Sequence, residues 1–144
     1  MLDRLLVERK AQQLAQYLDA LRAFESLSLK AFTEDTTRRY AAERVMQLMV
    51  DEAIDINAHP ILASRHAPPK DYYSSFLQLA SLGVYPRSLA LALAPTTAVR
   101  NALVHEYEEV DINEVHRSIR RFLALYPRYL HAVVSFLHRR ARRG

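Results

Sequence analysis

The chain contains no cysteine, so disulfide bonds and thiolate chemistry are excluded. Glycine is also nearly absent, because only Gly83 and the C-terminal Gly144 occur. Turn-rich β-sheet proteins and glycine-rich phosphate-binding loops need more glycines than this, so both are disfavoured. The lack of cysteine agrees with a reducing compartment, and we expect a cytoplasmic protein.

Uninterrupted apolar segments are missing as well. The N-terminal stretch MLDRLLVERK carries charges within its first apolar run, unlike a signal peptide or a membrane span. No other segment is apolar over the length that a bilayer requires, so we expect no membrane partner. Half of the residues are hydrophobic and a quarter are charged, which is typical of a globular protein. The length of 144 residues favours one domain spanning residues 1–144.

Lysine is scarce, and arginine accounts for 17 of the 20 basic residues (20 − 3 lysines) in a chain with a net charge of +4. Arginine suits phosphate groups, but this modest surplus alone indicates nucleic acid only weakly. The C-terminal LHRRARRG groups four arginines, namely Arg139, Arg140, Arg142 and Arg143. They could attract RNA, although cations that complement the end of a solvated helix are the simpler interpretation.

Apolar residues recur every three or four positions over most of the chain, which predicts helices. The predicted helices cover about residues 2–24, 35–59, 71–83, 86–108 and 111 to the basic C-terminus, with a turn and a short helical piece between 26 and 35. Asp35 and Asp71 suit helix starts. Pro60 is expected to end the second helix, Gly83 to end the third and Pro95 to break the fourth. The predicted fold is all-α, an up-and-down bundle of four to five antiparallel helices.

The segment RNALVHEYEEVD, residues 100–111, places a cation, an imidazole and a phenol in a helix that must bury one side. Arg100 and Tyr107 are seven residues apart and share a helix face. Asn101 precedes His105 by four residues, close enough to orient its imidazole. Arg100 and His105 are separated by roughly 140° around the axis. The break at Pro95, a nearby helix end or the length of arginine would have to bring them together.

This set of side chains is what RNA cleavage without a metal requires. An imidazole can take the 2′-OH proton or protonate the leaving 5′ oxygen. A guanidinium can stabilise the charge on the phosphorane-like transition state. One histidine cannot easily perform both proton transfers, so a second copy in a symmetric dimer, or water, would have to help. The simpler alternative is an arginine and a histidine that only complement a helix end.

Three other groups of side chains have structural interpretations that we favour over catalytic ones. Asp51, Glu52 and Asp55 could bind two metal ions, but such a cluster more often forms ion pairs with arginines, here Arg44 or residues of an opposing subunit. An alternative within a dimer is that the cluster holds Arg100 in position. The second group is three histidines that lack the spacing of a metal site, namely His116, His131 and His138. The third group is four aromatic residues that suit a core or an interface better than base stacking, namely Tyr72, Tyr73, Phe76 and Tyr85. We therefore expect no metal ligands and no cofactor.

The segment around Arg100 resembles the R-x4-H-x-Y signature of the HepT toxins, a branch of the HEPN (higher eukaryotes and prokaryotes nucleotide-binding) superfamily. The likeness extends to three further segments: RRYAAERVMQLMVDEAIDINAH (38–59) is similar to that family's second helix, FLQLASLGVYPRSLALALAP (76–95) to its link into the signature helix, and DINEVHRSIRRFLALYPRYLHAVVSFL (111–137) to its last helix. The resemblance covers essentially the whole chain, and the signature is specific when these neighbours accompany it.

The resemblance implies a helical homodimer whose two signature helices approach each other across a cleft. It implies a metal-independent endoribonuclease in which Arg100 and His105 act on RNA and Asn101 supports them. It also implies a nucleotidyltransferase antitoxin that silences the toxin by transferring AMP to Tyr107. The alternative is a non-catalytic subunit that binds the nucleotidyltransferase, or a nucleotide, through the same cleft.

Overall fold

The computed structural model describes residues 2–105 and 110–143. All regular secondary structure in these two ranges is helical, which confirms the predicted all-α bundle. The helices are α1 (Arg4–Arg22), α2 (Leu29–Glu34), α3 (Thr36–Ala63), α4 (Tyr72–Ser81), α5 (Arg87–Leu93), α6 (Thr96–Val104) and α7 (Ile112–Arg143). They outnumber the four to five predicted because α2 fills the first connection and the expected fourth helix is divided into α5 and α6.

Aspartate side chains begin the helices where the sequence predicts. Asp35 accepts a hydrogen bond from the N–H of Arg38 at 3.1 Å, and Asp71 accepts one from the N–H of Ser74 at 2.7 Å. Asp111 caps α7 through the backbone N–H groups of the second and third residues after it. Each cap satisfies N–H groups that have no partner within the helix.

Glycine and proline divide the middle of the chain as predicted. Gly83 follows α4 with a φ of +83°, in the left-handed region that favours glycine. Its N–H donates to Ala80 O, and the N–H of Val84 donates to Leu79 O, both at 3.0 Å. This pair of bonds is the Schellman arrangement that closes a helix end. Pro95 separates α5 from α6, since a proline cannot donate a backbone hydrogen bond.

The prediction that Pro60 ends the second helix is wrong. Helix α3 continues through this proline to Ala63, and Ser64 N–H donates to Pro60 O at 3.0 Å beyond it. Pro60 and Ile61 are both buried. Burial in the core therefore outweighs the local cost of a missing hydrogen bond, about 3 kcal/mol in a helix interior. The last helix likewise continues through Pro127.

Helix α3 is the centre of the bundle. It contacts α1, α4 and α6, and also α2 and α7. Its buried hydrophobic side chains are Ala42, Met46, Met49, Val50, Ala53, Ile56 and Ile61. A helix surrounded in this way gives a rigid support for the charged residues on its remaining face.

Helix α6 is attached to the core by a buried hydroxyl pair at its start. Thr96 Oγ1 donates to Leu93 O at 2.7 Å and lies 2.9 Å from Tyr126 Oη on α7. Because the threonine hydroxyl has a single proton, Tyr126 must be the donor in the second bond. Burial raises the pKa of Tyr126 above its ordinary value, so the phenol keeps the proton that it donates. The direction in which α6 leaves the core is thereby fixed.

A second buried network joins α3, α4 and α7. Asn57 Nδ2 donates to Ser75 Oγ at 3.0 Å, and Asn57 Oδ1 accepts from Tyr129 Oη. Ser75 Oγ in turn donates to Tyr72 O at 2.7 Å. Asn57 and Tyr129 are fully buried, so water cannot replace a lost partner without a rearrangement.

Replacing Asn57 by alanine should lower the free energy of unfolding by about 1–3 kcal/mol, because Tyr129 and Ser75 lose a buried partner. Urea denaturation followed by circular dichroism measures the change, and alanine at the exposed Asn113 is the matched control. In a double-mutant cycle with Tyr129→Phe, the double variant should lose less than the sum of the single losses. Strict additivity would contradict the network.

Candidate active site

Arg100 is held between three helices. It projects from α6, and its Nε donates to Asp51 Oδ1 on α3 at 2.7 Å. Its guanidinium carbon lies 5.3 Å from the centre of the Tyr72 ring, at the start of α4. Its side chain is 20 % exposed. An ion pair from one side and an aromatic ring from another fix the plane of the guanidinium.

Asn101, the residue that follows Arg100 in the chain, bonds to it directly. Asn101 Oδ1 accepts from Arg100 Nη1 at 3.2 Å. The predicted role of this amide in orienting His105 stays a prediction, and the described contact of its oxygen is with the guanidinium. With Asp51, Asn101 supplies a second oxygen for the same cation.

His105 lies at the point where α6 ends. The helix stops at Val104, and His105 has φ −91° and ψ 74°, outside the helical region. Its N–H still donates to Asn101 O at 3.1 Å, and its side chain is exposed. This i→i−4 bond keeps His105 on the last turn of α6, while its ψ ends the helix here. A helix end is one of the three features that the sequence analysis named as able to bring Arg100 and His105 close together.

Tyr107, the predicted modification site, lies outside the described residues, since the description resumes at Val110. Its role stays a prediction. Val110 and Asp111 return the chain to the core side at the start of α7.

The acidic cluster on α3 forms ion pairs, as favoured from the sequence. Asp51 pairs with Arg100, and Asp55 Oδ2 lies 3.6 Å from Lys10 Nζ on α1. Burial raises the pKa of Glu52 above its ordinary value, and Lys10 opposes that rise. Within residues 2–105 and 110–143, no three His, Asp or Glu side chains are grouped to hold a metal ion. The first partner suggested for Asp51 was Arg44, and the structure selects Arg100.

The candidate aromatic residues divide into two pairs. Phe76 and Tyr85 are buried, and Tyr85 Oη donates to Phe76 O at 2.8 Å, as expected of core residues. Tyr72 and Tyr73 are exposed, and Tyr72 supports Arg100. The spacing of aromatic residues along α4 did not reveal this difference.

The remaining sequence candidates lie apart from Arg100 or on the surface. His116 Nε2 is 2.6 Å from Leu27 O and its ring packs on Phe32, so it links α7 to the α1–α2 connection. The four tail arginines are exposed at the end of α7. None of the helices in the described ranges combines the length and apolar character needed to cross a bilayer.

A groove that the sequence analysis did not identify runs beside α6. It has a volume of about 680 Å³ and lies between α3, the end of α6 and the start of α7. Its polar side consists of Arg39, Tyr40, Glu43, Arg44 and Gln47, and its apolar side of Leu103, Val110 and Ile112. Only tertiary packing brings these segments together, and no local pattern in the sequence indicated the groove.

Comparison with known proteins identifies the family. Residues 14–133 match the family described as HepT-like, Ribonuclease HepT-like. The chain belongs to this family. It is also 31 % identical over 136 residues to the tRNA nuclease HepT of Aphanizomenon flos-aquae (strain 2012/KM1/D3), covering 94 % of this chain and 92 % of that one. The resemblance read from the signature segment and its neighbours is confirmed.

Solved structures with the same fold include members of HEPN toxin–antitoxin complexes. YutE of Bacillus subtilis, described as a cytosolic protein of unknown function, superposes with a TM-score of 0.83 at 18 % identity, over 96 % of this chain and 93 % of YutE. The tri-AMPylated HEPN toxin of Shewanella oneidensis, solved in complex with its MNT antitoxin, superposes with a TM-score of 0.81 at 19 % identity, over 94 % and 99 % of the two chains. At these identities the likeness shows a shared fold.

Substituting Asp51 by alanine should release the guanidinium of this HepT-like protein while changing the free energy of unfolding by only about 1 kcal/mol, since both partners are partly exposed. The Nε–H of Arg100 should exchange with solvent slowly in the unmodified protein and much faster in the variant, as measured by ¹⁵N NMR of arginine side chains. Alanine at Asp55, which pairs with Lys10, is the matched control. Equal exchange rates in all three proteins would contradict the proposed restraint.

Proposed function

We propose that this protein is the toxin of a toxin–antitoxin pair, an endoribonuclease that cleaves RNA phosphodiesters without a metal ion. The observation that carries the proposal is the fixed guanidinium of Arg100, held by Asp51 and Tyr72 one helical turn before an exposed His105. The two side chains come from the same end of α6, one restrained by two partners and the other exposed to solvent.

Arg100 is suited to bind the phosphate at the cut bond. A guanidinium has five N–H donors, and the described contacts use two of them, on Asp51 and Asn101. We expect phosphate oxygens to be bound by N–H groups of the fork that these two contacts do not use. Because the ion pair and the ring restrain the group beforehand, little conformational entropy is lost when the transition state forms.

His105 is suited to proton transfer because it is exposed and histidine changes charge near neutral pH. It takes the proton of a 2′-OH while that oxygen attacks the phosphorus. The bond to the 5′ oxygen breaks, and that oxygen leaves with a proton from a second acid. The products are a 2′,3′-cyclic phosphate and a 5′-OH. A homodimer would provide His105 of a second copy as that acid.

The relatives support the biological role. The curated relative is a tRNA nuclease, so tRNA is the first substrate to examine. The Shewanella toxin is AMPylated and bound to an MNT antitoxin. For this chain we propose a nucleotidyltransferase partner that joins the α-phosphorus of ATP to Tyr107 Oη, with pyrophosphate leaving and the phenolic proton passing to solvent. A cytoplasmic location fits that substrate and partner.

The purified protein should cleave RNA in excess EDTA, and alanine at both Arg100 and His105 should abolish cleavage. Loss of a transition-state clamp and of a general base or acid each costs roughly 10²–10⁴-fold in rate. Gel analysis of end-labelled tRNA measures cleavage and shows whether the new 5′ end is a hydroxyl. Alanine at the exposed His138 is the matched control.

Two outcomes of that assay would contradict the proposal. Cleavage that persists in the double variant would belong to another site or to a contaminant. An inactive wild-type protein that still co-purifies with the nucleotidyltransferase would favour the non-catalytic subunit instead.

Co-expression with the nucleotidyltransferase should add the mass of one or more AMP groups to the wild-type chain and none to Tyr107→Phe, because phenylalanine lacks the attacking oxygen. Intact-protein mass spectrometry measures the addition. Phenylalanine at the exposed Tyr73 is the control and should be modified like the wild type. Equal modification of both variants would place the acceptor elsewhere.

A further inference from the structure

The groove beside α6 shares a helix face with the Arg100–Asp51 pair. Tyr40, Arg44 and Gln47 follow one another on α3 at steps of four and three residues, and Asp51 comes four residues later. Steps of three and four residues keep side chains on one face of a helix. On α6, Leu103 lies on the groove and is three residues from Arg100. The groove and the guanidinium therefore lie along the same seam between α3 and α6.

Tyr40 is the most prominent side chain of this groove. Its side chain is 60 % exposed, which is unusual for an aromatic residue on the central helix of a bundle. The guanidinium carbon of Arg39 lies 5.2 Å from the centre of the ring. Arg39 is itself held, because its Nη1 donates to Thr33 O at 3.1 Å. The ring is thus braced by a fixed cation rather than by packing in the core.

The charge of the groove suits a nucleic-acid strand. Arg39 and Arg44 line it, and Glu43 is the acidic residue among the described residues of the lining. Arg44 is exposed, and the half-buried Gln47 lies between it and Asp51 along the helix. Aromatic rings flanked by arginines are the usual means of binding single-stranded RNA, with bases stacked on the ring and phosphates on the cations.

We infer that this groove is a subsite for single-stranded RNA, in which a base stacks on Tyr40 and a neighbouring phosphate contacts Arg44. The inference rests on the proposed ribonuclease function and extends it to substrate recognition. The eleven residues from Tyr40 to Asp51 correspond to about 16 Å along α3. The stacked base therefore belongs to a nucleotide some distance from the bond that is cut, and Tyr40 is a binding residue rather than a catalytic one.

Binding is measured in the His105→Ala background, so that the RNA stays intact. The probe is a fluorescein-labelled single-stranded oligonucleotide derived from tRNA, and fluorescence anisotropy gives its Kd. Tyr40→Ala should raise Kd roughly fivefold or more, the usual effect of removing one stacking ring, whereas Tyr40→Phe should leave it nearly unchanged. Arg44→Ala should raise Kd and reduce its dependence on salt by about one phosphate contact. Arg9→Ala, exposed on α1 outside the groove, is the matched control.

Cleavage kinetics with His105 intact provide the second readout. Tyr40→Ala should raise KM for the long oligonucleotide and leave kcat unchanged, because the ring binds substrate and transition state equally. A trinucleotide cannot span from the cut bond to Tyr40, so its cleavage should be insensitive to the substitution.

Four results would overturn the subsite: an unchanged Kd in Tyr40→Ala, no RNA binding at all, an equal loss on the trinucleotide, or an altered oligomeric state by light scattering. An altered oligomeric state would make the groove a contact between two copies of this chain. A lost affinity for the nucleotidyltransferase, with the Kd for RNA unchanged, would make it a protein-binding surface. Cleavage that requires Arg100 but is unaffected by Tyr40→Ala refutes the subsite and leaves the proposed ribonuclease function standing. RNA that binds through Tyr40 and is never cut refutes the nuclease and leaves the subsite standing.

Discussion

The ion pair between Arg100 and Asp51 is the constraint on which the candidate site depends. A partly exposed pair of this kind contributes only about 1 kcal/mol to stability, less than the burial of one large core side chain. The ion pair is therefore important because it sets the direction in which the guanidinium points. Asp51 belongs to the central helix of the bundle, so the position of the guanidinium is set by the most rigid element of the fold, and the Tyr72 ring restrains its plane.

Buried hydrogen bonds in the core fix the helices that carry this ion pair and the Tyr72 ring. Thr96 and Tyr126 fix the start of α6, four residues before Arg100. The network of Asn57, Ser75 and Tyr129 reaches the backbone of Tyr72. Apolar packing alone permits small sliding of helices, whereas a buried hydrogen bond has one geometry and is costly to leave unmade. The buried polar groups of this bundle thus help to position one cation, the guanidinium of Arg100.

Local signals and tertiary effects explain which parts of the molecule could be predicted from sequence. Asp71 acts through its own side chain, and Gly83 and Pro95 act through their own backbone, so the helix ends that they set were predictable. The prediction that Pro60 ends the helix was wrong because burial of the surrounding residues keeps α3 helical, and rules based on local sequence do not include that burial. The partner of Asp51 lies 49 residues away, so the sequence favoured Arg44 or a residue of a second subunit and offered Arg100 as an alternative. The groove at Tyr40 depends on three separate segments and had no local signature.

On the proposed function, the same cation explains how modification of Tyr107 would silence the enzyme. Tyr107 follows the exposed His105 by two residues, just beyond the end of α6. An AMP group there carries a negatively charged phosphodiester and a base, which are chemically the ligands that Arg100 and the neighbouring groove are suited to bind. The tethered nucleotide would compete with RNA at a high effective concentration, because its linker is a single side chain. Inhibition then requires no unfolding and no change in the bundle, only occupation of a guanidinium that Asp51 holds in one place.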